Sequence, residues 1–151
     1  MRGIGLSEVG SKTTEKANAI HPLSLGEVEF SLWRTEIFTN GVAATTDPDQ
    51  IPDGDIRKWF DRFQPEVKPV AAQKGVSASQ LALAWVRAHP NSALAGTIIP
   101  ILGSHTACRV GKNTAIVLLS DEEKAKLDGT VESANVQGGR YNNQLEDTLW
   151  N

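Results

Sequence analysis

The first 30 residues constrain the fold of this chain more than any other stretch, because they place a helix between two strand-forming segments. Residues 2–6 are short, apolar and glycine-containing, which predicts a buried strand. Residues 11–20 are predicted to be helical, and His21-Pro22 ends that helix because proline disfavours the helical conformation of the residue before it. Residues 25–30 alternate in polarity, which predicts a second strand. A β-α-β order of this kind makes the strands parallel and indicates the α/β fold class.

Two capping boxes mark the starts of later helices. Ser77 is followed three residues later by Gln80, and Ser120 is followed three residues later by Glu123. In this pattern the serine oxygen accepts a hydrogen bond from a free N–H group, and the longer side chain reaches back to the serine N–H. The sequence therefore predicts one helix after Ser77 and another after Ser120 that ends near residue 133.

The segments around these helices are less regular. Residues 97–101 are β-branched and apolar, which predicts a short buried strand, and a helix is expected from about Ala107. Residues 67–73 are predicted to be helical, with Pro69 tolerated only in the first turn. Residues 56–63 fit a short helix or an aromatic loop equally well. The remaining segments are interpreted as a weak helix over 36–44, a loop over 45–55 and a polar tail from 135.

Size and charge restrict the class of protein. At 151 residues, with 40% hydrophobic and 22% charged side chains, the chain has the size of one globular domain, assigned to residues 1–151. A net charge of −3 and scattered basic residues argue against nucleic acid and anionic membranes as partners. Cys108 is the single cysteine, which fits a reducing compartment. Because neither a signal peptide nor a membrane span is evident, we expect a cytoplasmic protein.

The residues from 98 to 104 lead from the predicted strand into the helix that carries Arg109 and Asn113. A helix N-terminus presents free N–H groups and a partial positive charge, which suit an anion. Gly103 permits close approach of the backbone, and Ser104 can donate its hydroxyl proton. Arg109 adds a planar fork that matches phosphate oxygens. The pattern predicts a phosphate site; the alternative is an ordinary strand-to-helix turn with a solvated arginine.

Other reactive side chains have plainer interpretations. Glu27 and Glu29 share a strand face and could be proposed as an acid–base pair, but adjacent carboxylates on an exposed strand face are common. His105 and Cys108 lie three residues apart, and two ligands do not complete a zinc site. We interpret Cys108 as a small, partly buried helix residue and expect no metal.

The motifs, taken in order, resemble the C-terminal part of the aldo-keto reductase family, and the resemblance covers nearly all of the chain. The matching segments are 2–9, which resembles the fifth barrel strand; 21–33, the sixth strand; 40–42, the following helix; 75–86, the penultimate barrel helix; 98–113, the eighth strand and cofactor helix; and 138–141, a tail motif. The closest similarity is to the fungal pyridoxal-reductase-like branch.

The resemblance implies a partial (β/α)8 TIM barrel that contains strands five, six and eight with their helices. It also implies an NADPH-dependent oxidoreductase that reduces aldehydes or ketones, possible substrates including pyridoxal-like carbonyl compounds. In such barrels the active site lies at the C-terminal ends of the strands. The substrate and the oligomeric state are left open.

The resemblance also carries over individual cofactor-binding residues. Ser7 and Glu27 match positions that hold the nicotinamide carboxamide. Ser104 and Arg109 match positions that hold the adenosine 2′-phosphate, and Asn113 matches the contact to adenine.

Three positions depart from the family pattern. Glu27 replaces a glutamine, and an ionised glutamate accepts hydrogen bonds but cannot donate them. Lys112 stands where the family often has a glutamate facing adenine, and Leu102 replaces the proline before Gly103. These changes weaken the expectation of tight NADPH binding.

The family's catalytic tyrosine, lysine, aspartate and histidine come from its first four strands, which have no match in this sequence. The sole tyrosine, Tyr141, matches the tail motif, so we predict no catalytic residue here. The seventh strand also lacks a match, which indicates internal shortening near residues 45 and 66. Parallel strands without neighbours leave open edges, so the chain alone is expected to be marginally stable or to aggregate.

Three hypotheses about function stay open at the level of sequence. The chain is part of an NADPH-dependent carbonyl reductase that needs further segments, or a non-catalytic remnant or pseudoenzyme that binds a nucleotide or partner. The third hypothesis is a helical interaction module that binds no nucleotide.

Overall fold

The computed structural model describes residues 3–28, 30, 32, 56–89 and 97–133. The chain divides into two compact units, of which the first contains residues 1–55 and 136–151 and the second contains residues 56–135. The predicted helix over 36–44, the loop over 45–55 and the tail from 135 lie outside the described residues.

The first unit contains the predicted β-α-β motif. Strand β1 spans Gly5–Ser7, helix α1 spans Ser11–Ile20 and strand β2 spans Leu25–Glu27. The strands are parallel and pair Gly5 with Leu25, and Ser7 with Glu27. The order and direction of the elements predicted from the first 30 residues are therefore confirmed, although each strand is only three residues long.

Helix α1 ends where proline requires it to end. The N–H group of His21 donates to the carbonyl of Ala17 at 3.0 Å, which closes the last turn. The backbone of His21 is extended, with φ −152° and ψ 132°. This is the conformation that the following Pro22 favours for the residue before it.

The strands are more exposed than the sequence predicts. Leu6 is half-buried, all of β2 is exposed, and 63% of the surface of Leu25 is accessible. The strand predicted over residues 2–6 is present as Gly5–Ser7, but the prediction that it is buried is wrong. A parallel strand is buried only when neighbours and helices cover it, and the sheet formed by the described residues has two strands.

The second unit is helical. Its helices are α2 (Ile56–Lys74), α3 (Ala78–Arg87), α4 (Ala107–Thr114) and α5 (Asp121–Ser133). Helices α2, α3 and α5 share an apolar core, made of Val67, Val70, Ala71, Leu81, Leu83, Ala84, Trp85, Val86 and Leu127. Burial of these side chains is the main stabilising contribution in this unit, at about 25 cal/mol per Å² of apolar surface.

Both predicted capping boxes are present. The N–H of Gln80 donates to Ser77 Oγ at 3.3 Å, and the N–H of Ser77 donates to Gln80 Oε1 at 3.1 Å. At the start of α5 the N–H of Glu123 donates to Ser120 Oγ at 3.2 Å, and the N–H of Ser120 donates to Glu123 Oε2 at 2.7 Å. Each box satisfies N–H groups that a helix start otherwise leaves unpaired.

The carboxylate of Glu123 also joins α5 to α2. Lys74 Nζ donates to both of its oxygens, at 2.8 Å to Oε1 and 2.7 Å to Oε2. The hydrogen bond from Lys74, followed by the backbone hydrogen bond from Ser120, lowers the pKa of Glu123 below its ordinary value. One side chain thus caps its own helix and contacts a second helix.

A polar cluster joins α3 to α5. Trp85 Nε1 donates to Asp128 Oδ1 at 2.8 Å, and Lys124 Nζ lies 2.6 Å from Asp128 Oδ2. The rings of Trp85 and His89 meet edge to face, with centroids 4.3 Å apart. Desolvation by itself raises the pKa of Asp128, but the hydrogen bonds from Lys124 and Trp85 outweigh it and the pKa is lowered.

Helix α2 contradicts the prediction for Pro69. That proline was expected only in a first turn, yet Pro65 and Pro69 both lie inside a 19-residue helix that also includes residues 56–63. The two prolines are four residues apart and both are exposed, so they share the solvent face of the helix. Water can satisfy carbonyl groups freed on that face. Burial of Val67 and Val70 on α2 then outweighs the poor helix propensity of proline.

Residues 97–101 contradict the prediction of a buried strand. They are described but form no strand, and Ile99 and Ile101 are 75% and 72% exposed. A strand needs a hydrogen-bonding neighbour, and the only sheet in the described ranges pairs β1 with β2. The described residues are thus compatible with a helix-rich α/β fold, while the partial TIM barrel stays a prediction.

None of the described helices has the length and hydropathy needed to cross a bilayer.

Candidate functional site

The candidate residues fall into two groups, one in each unit. Ser7 and Glu27 belong to the first unit. The second unit contains the residues from Gly103 into helix α4 as far as Asn113, a segment that we call the α4 turn.

Ser7 and Glu27 lie side by side at the C-terminal ends of the two parallel strands. They are register partners, and both are exposed. Register partners in a parallel pair place their side chains on the same face of the sheet. A serine hydroxyl, which can donate or accept, therefore lies next to a carboxylate that accepts when ionised.

The residue after Ser7 adopts an unusual backbone conformation that the sequence did not predict. Glu8 has φ 54°, in the left-handed region, and its N–H donates to the carbonyl of Glu27 at 2.9 Å. A left-handed conformation costs a non-glycine residue about 1–2 kcal/mol. The hydrogen bond holds the chain in this bend directly after the serine. No sequence signal marks this bend, because glutamate is not a residue that favours it.

A hydrogen bond joins Ser104, which precedes α4, to Asn113 in the last turn of α4, nine residues later in sequence. Asn113 Nδ2 donates to Ser104 Oγ at 2.7 Å, in an exposed setting. Ser104 accepts in this bond, so its own hydroxyl proton is still available to a ligand. Asn113 likewise keeps its amide oxygen and a second N–H. The bond orients both side chains and leaves each of them with further donors and acceptors that a ligand could use.

Thr106 caps α4, and the sequence interpretation missed it. Its side-chain oxygen accepts from the N–H of Arg109 at 3.2 Å, and its carbonyl accepts from the N–H of Val110 at 3.0 Å. The signal for this cap is a threonine directly before the first helical residue. Among the described residues, the N–H groups of Ala107 and Cys108 are then left to meet an anion.

Arg109 lies in the first turn of α4 and is exposed, as are Gly103 and Ser104. This places a guanidinium group at the end of the helix that carries a partial positive charge. A β carbon built at Gly103 meets no atom within 4 Å. The fold itself therefore does not require glycine at position 103, and a requirement would have to come from a ligand.

Cys108 is exposed, so its prediction as a partly buried residue is wrong. None of the residues in Ala107–Thr114 is buried, because this short helix contributes no side chain to the core. His105 is also exposed, and the described residues contain no group of three or more histidine, cysteine or acidic side chains that could hold a metal ion.

Comparison with known proteins finds curated relatives of this chain. The protein "Probable aldo-keto reductase 1" from Glycine max is 26% identical over 184 aligned positions, which include 97% of this chain and 51% of that protein. The chain thus spans about half the length of the curated relative. The alignment exceeds the 151-residue chain, so at least 33 aligned positions have no residue here. No protein-family profile matches the sequence.

This similarity supports an oxidoreductase of the aldo-keto reductase family. It gives no support for the pyridoxal-reductase-like branch in particular, because the name of the relative states no substrate.

Proposed function

We propose that this chain is the NADPH-binding portion of an aldo-keto reductase that reduces aldehydes or ketones to alcohols. The observation that carries the proposal is the hydrogen bond between Asn113 and Ser104, 2.7 Å long, which orients two predicted nucleotide contacts. Asn113 lies in the last turn of α4, and Arg109 is exposed in the first turn of the same helix.

The α4 turn suits the 2′-phosphate of NADPH on physical grounds. A phosphate monoester carries up to two negative charges and accepts several hydrogen bonds. The turn offers the guanidinium of Arg109, the hydroxyl proton of Ser104 and the N–H groups at the helix start. NADH lacks this phosphate, so the site would favour NADPH.

The strand ends of the first unit suit the nicotinamide carboxamide less well. Ser7 can donate to the carboxamide oxygen, and Glu27 can accept from its NH₂ group. A glutamine at position 27 could do both. We propose that Glu27 fixes one orientation of the carboxamide by rejecting its carbonyl oxygen.

Reduction of a carbonyl group needs more than these residues. When bound, NADPH supplies the hydride to the carbonyl carbon. The oxygen must then receive a proton from a general acid. The sole tyrosine of the sequence, Tyr141, matches a tail motif. We propose that the proton donor comes from a segment equivalent to the half of the relative that this chain does not span.

Nucleotide titrations test the proposal. The wild-type chain should bind NADPH more tightly than NADH. Quenching of tryptophan fluorescence measures the binding. Arg109→Ala should weaken NADPH binding by roughly tenfold to a hundredfold, the range expected for a charge-assisted hydrogen bond of about 1.5–3 kcal/mol. NADH binding should not change.

Lys126→Ala on α5 is the matched control, because it removes an exposed cation away from the α4 turn. Equal binding of NADPH to wild type and Arg109→Ala, or no binding to wild type, contradicts the proposal.

A non-catalytic nucleotide-binding protein is the second candidate. It is favoured by the absence of any match to the catalytic tyrosine in the sequence of 151 residues. Consumption of NADPH in the presence of an aldehyde separates the two candidates. Binding without consumption supports the second candidate for the chain alone.

A further inference from the structure

We infer that Arg87 is a positioning residue for the nucleotide-binding turn of α4. This inference rests on the proposed function. Arg87 is the last residue of α3, and its guanidinium donates to two backbone carbonyl groups at the far end of α4. Its two NH₂ groups reach Asn113 O at 2.8 Å and Ala115 O at 3.0 Å.

The geometry of these two bonds requires arginine. The last carbonyl groups of a helix have no partner within the helix, and a positive charge near them is favourable. A guanidinium presents its donors in a fixed planar fork, so one side chain can serve two carbonyl groups. An ammonium group keeps the charge but lacks the fork.

Helix α4 needs such a contact because it contributes nothing to the core. It has eight residues, none of them buried. Helix α3, by contrast, has five buried residues, among them Leu83 and Ala84. Arg87 therefore connects a helix anchored by its apolar face to one that has no apolar anchor of its own.

The contact reaches the nucleotide-binding side chains through Asn113. Its backbone carbonyl accepts from Arg87, and its side-chain amide donates to Ser104 Oγ at 2.7 Å. A change in the position of Asn113 therefore changes the position of Ser104 as well. Arg87 contacts neither predicted phosphate ligand directly, so its effect passes through these two hydrogen bonds.

Binding of 2′,5′-ADP, which carries only the adenosine end of NADPH, is the first test. Arg87→Ala should weaken binding of 2′,5′-ADP and NADPH by the same factor, about threefold to tenfold, as for a net hydrogen-bond contribution near 1 kcal/mol. Arg87→Lys should recover less than half of this loss in free energy. Lys68→Ala, which removes an exposed cation on α2, should leave both affinities unchanged.

The second test needs no nucleotide and thus separates this inference from the proposed function. In ¹⁵N-resolved NMR spectra, Arg87→Ala should shift the side-chain NH₂ signals of Asn113, as should the direct control Ser104→Ala. Backbone signals of the buried Leu81 and Leu83 should stay in place, which a general loss of structure would not allow. If Arg87→Ala loses its helical circular dichroism, Arg87→Lys replaces it in both tests.

Unchanged Asn113 side-chain signals in Arg87→Ala overturn the inference, whatever the nucleotide affinity. Equal loss of affinity in Lys68→Ala also overturns it, because the effect would then be one of general charge. If wild type binds neither nucleotide but the Asn113 signals respond to Arg87, the proposed function fails and the positioning contact stands.

Discussion

The described helices of the two units differ in how much of their apolar surface they bury. In the first unit none of the residues Ser11–Ile20 is buried, and Ile20 and Leu25 are largely exposed. In the second unit three helices bury a shared core, and Leu127 is completely inaccessible. Among the described residues, a core shared by several helices is found in the second unit; Leu32 of the first unit is buried as well, and Ile99 and Ile101 of the second are exposed.

The comparison separates the formation of an element from its stabilisation. Helices satisfy their backbone within one segment, so a few neighbouring helices can complete a core. A parallel pair of strands has two faces and two edges, each of which needs a neighbour. A β-α-β unit can therefore have the right order and register and still expose most of its apolar surface.

The largest expected effect on stability comes from replacing a buried leucine of the second unit by alanine, and an exposed leucine of the first unit provides the comparison. Leu127→Ala should lower the free energy of unfolding by about 2–5 kcal/mol, because it leaves a cavity in the helical core. Leu25→Ala makes the same chemical change at a side chain that is 63% exposed. It should alter stability by no more than about 0.5 kcal/mol.

Urea denaturation followed by circular dichroism at the helical minimum measures both variants. Equal losses in the two variants would show that the strands of the first unit are as well packed as the helices of the second, which would break the comparison.

A smaller effect, of opposite sign, is expected in α2. Pro69→Ala should raise stability by up to about 3 kcal/mol, the difference in helix propensity between alanine and proline at an interior position. Pro65→Ala should act in the same direction, since both prolines lie inside the 19-residue helix. If the helix instead began near Pro69, as the sequence alone suggested, that substitution would be neutral or destabilising. Thermal unfolding of the two variants decides between these outcomes.

The smallest effect is a dependence of stability on pH in the α3–α5 cluster. Although desolvation raises the pKa of Asp128, hydrogen bonds from Lys124 and Trp85 lower it overall. Because the folded pKa lies below the unfolded one, the stabilisation is complete above the unfolded pKa and is lost as pH falls through the folded value. The change should therefore fall below about pH 4.

Asp128→Asn should remove this acid-dependent loss while keeping an acceptor for Trp85. The difference is expected to be about 1 kcal/mol or less, since the carboxylate is partly screened by solvent. The free energy of unfolding of wild type and variant, determined between pH 3 and pH 7, measures this difference. The interval includes the ordinary pKa of a carboxylate. Parallel curves would exclude Asp128 as the group responsible.

The sequence predicted the features that depend on neighbouring residues. Both capping boxes and the stop at His21-Pro22 are local, and all three are confirmed. The β-α-β order also predicts that the ends of the two parallel strands meet at one edge, where the structure pairs Ser7 with Glu27. Their role in cofactor binding stays a prediction.

The sequence failed where distant contacts decide. The helix through Pro69 depends on packing of the other face of α2, and the strand predicted over 97–101 depended on a partner that the described residues do not provide. Arg87 gave no signal, since its two acceptors lie 26 and 28 residues further along the chain.

The carboxylate of Glu123 has a consequence for how the second unit opens. The same atom, Oε2, accepts from the N–H of Ser120 and from Lys74 Nζ, both at 2.7 Å. Fraying of the first turn of α5 therefore releases the lysine of α2, and separation of the two helices loosens the first turn. A helix end, usually the first part of a protein to exchange its amide hydrogens with solvent, is here coupled to opening of the helical core. Local and larger fluctuations at this corner both break hydrogen bonds to the same carboxylate.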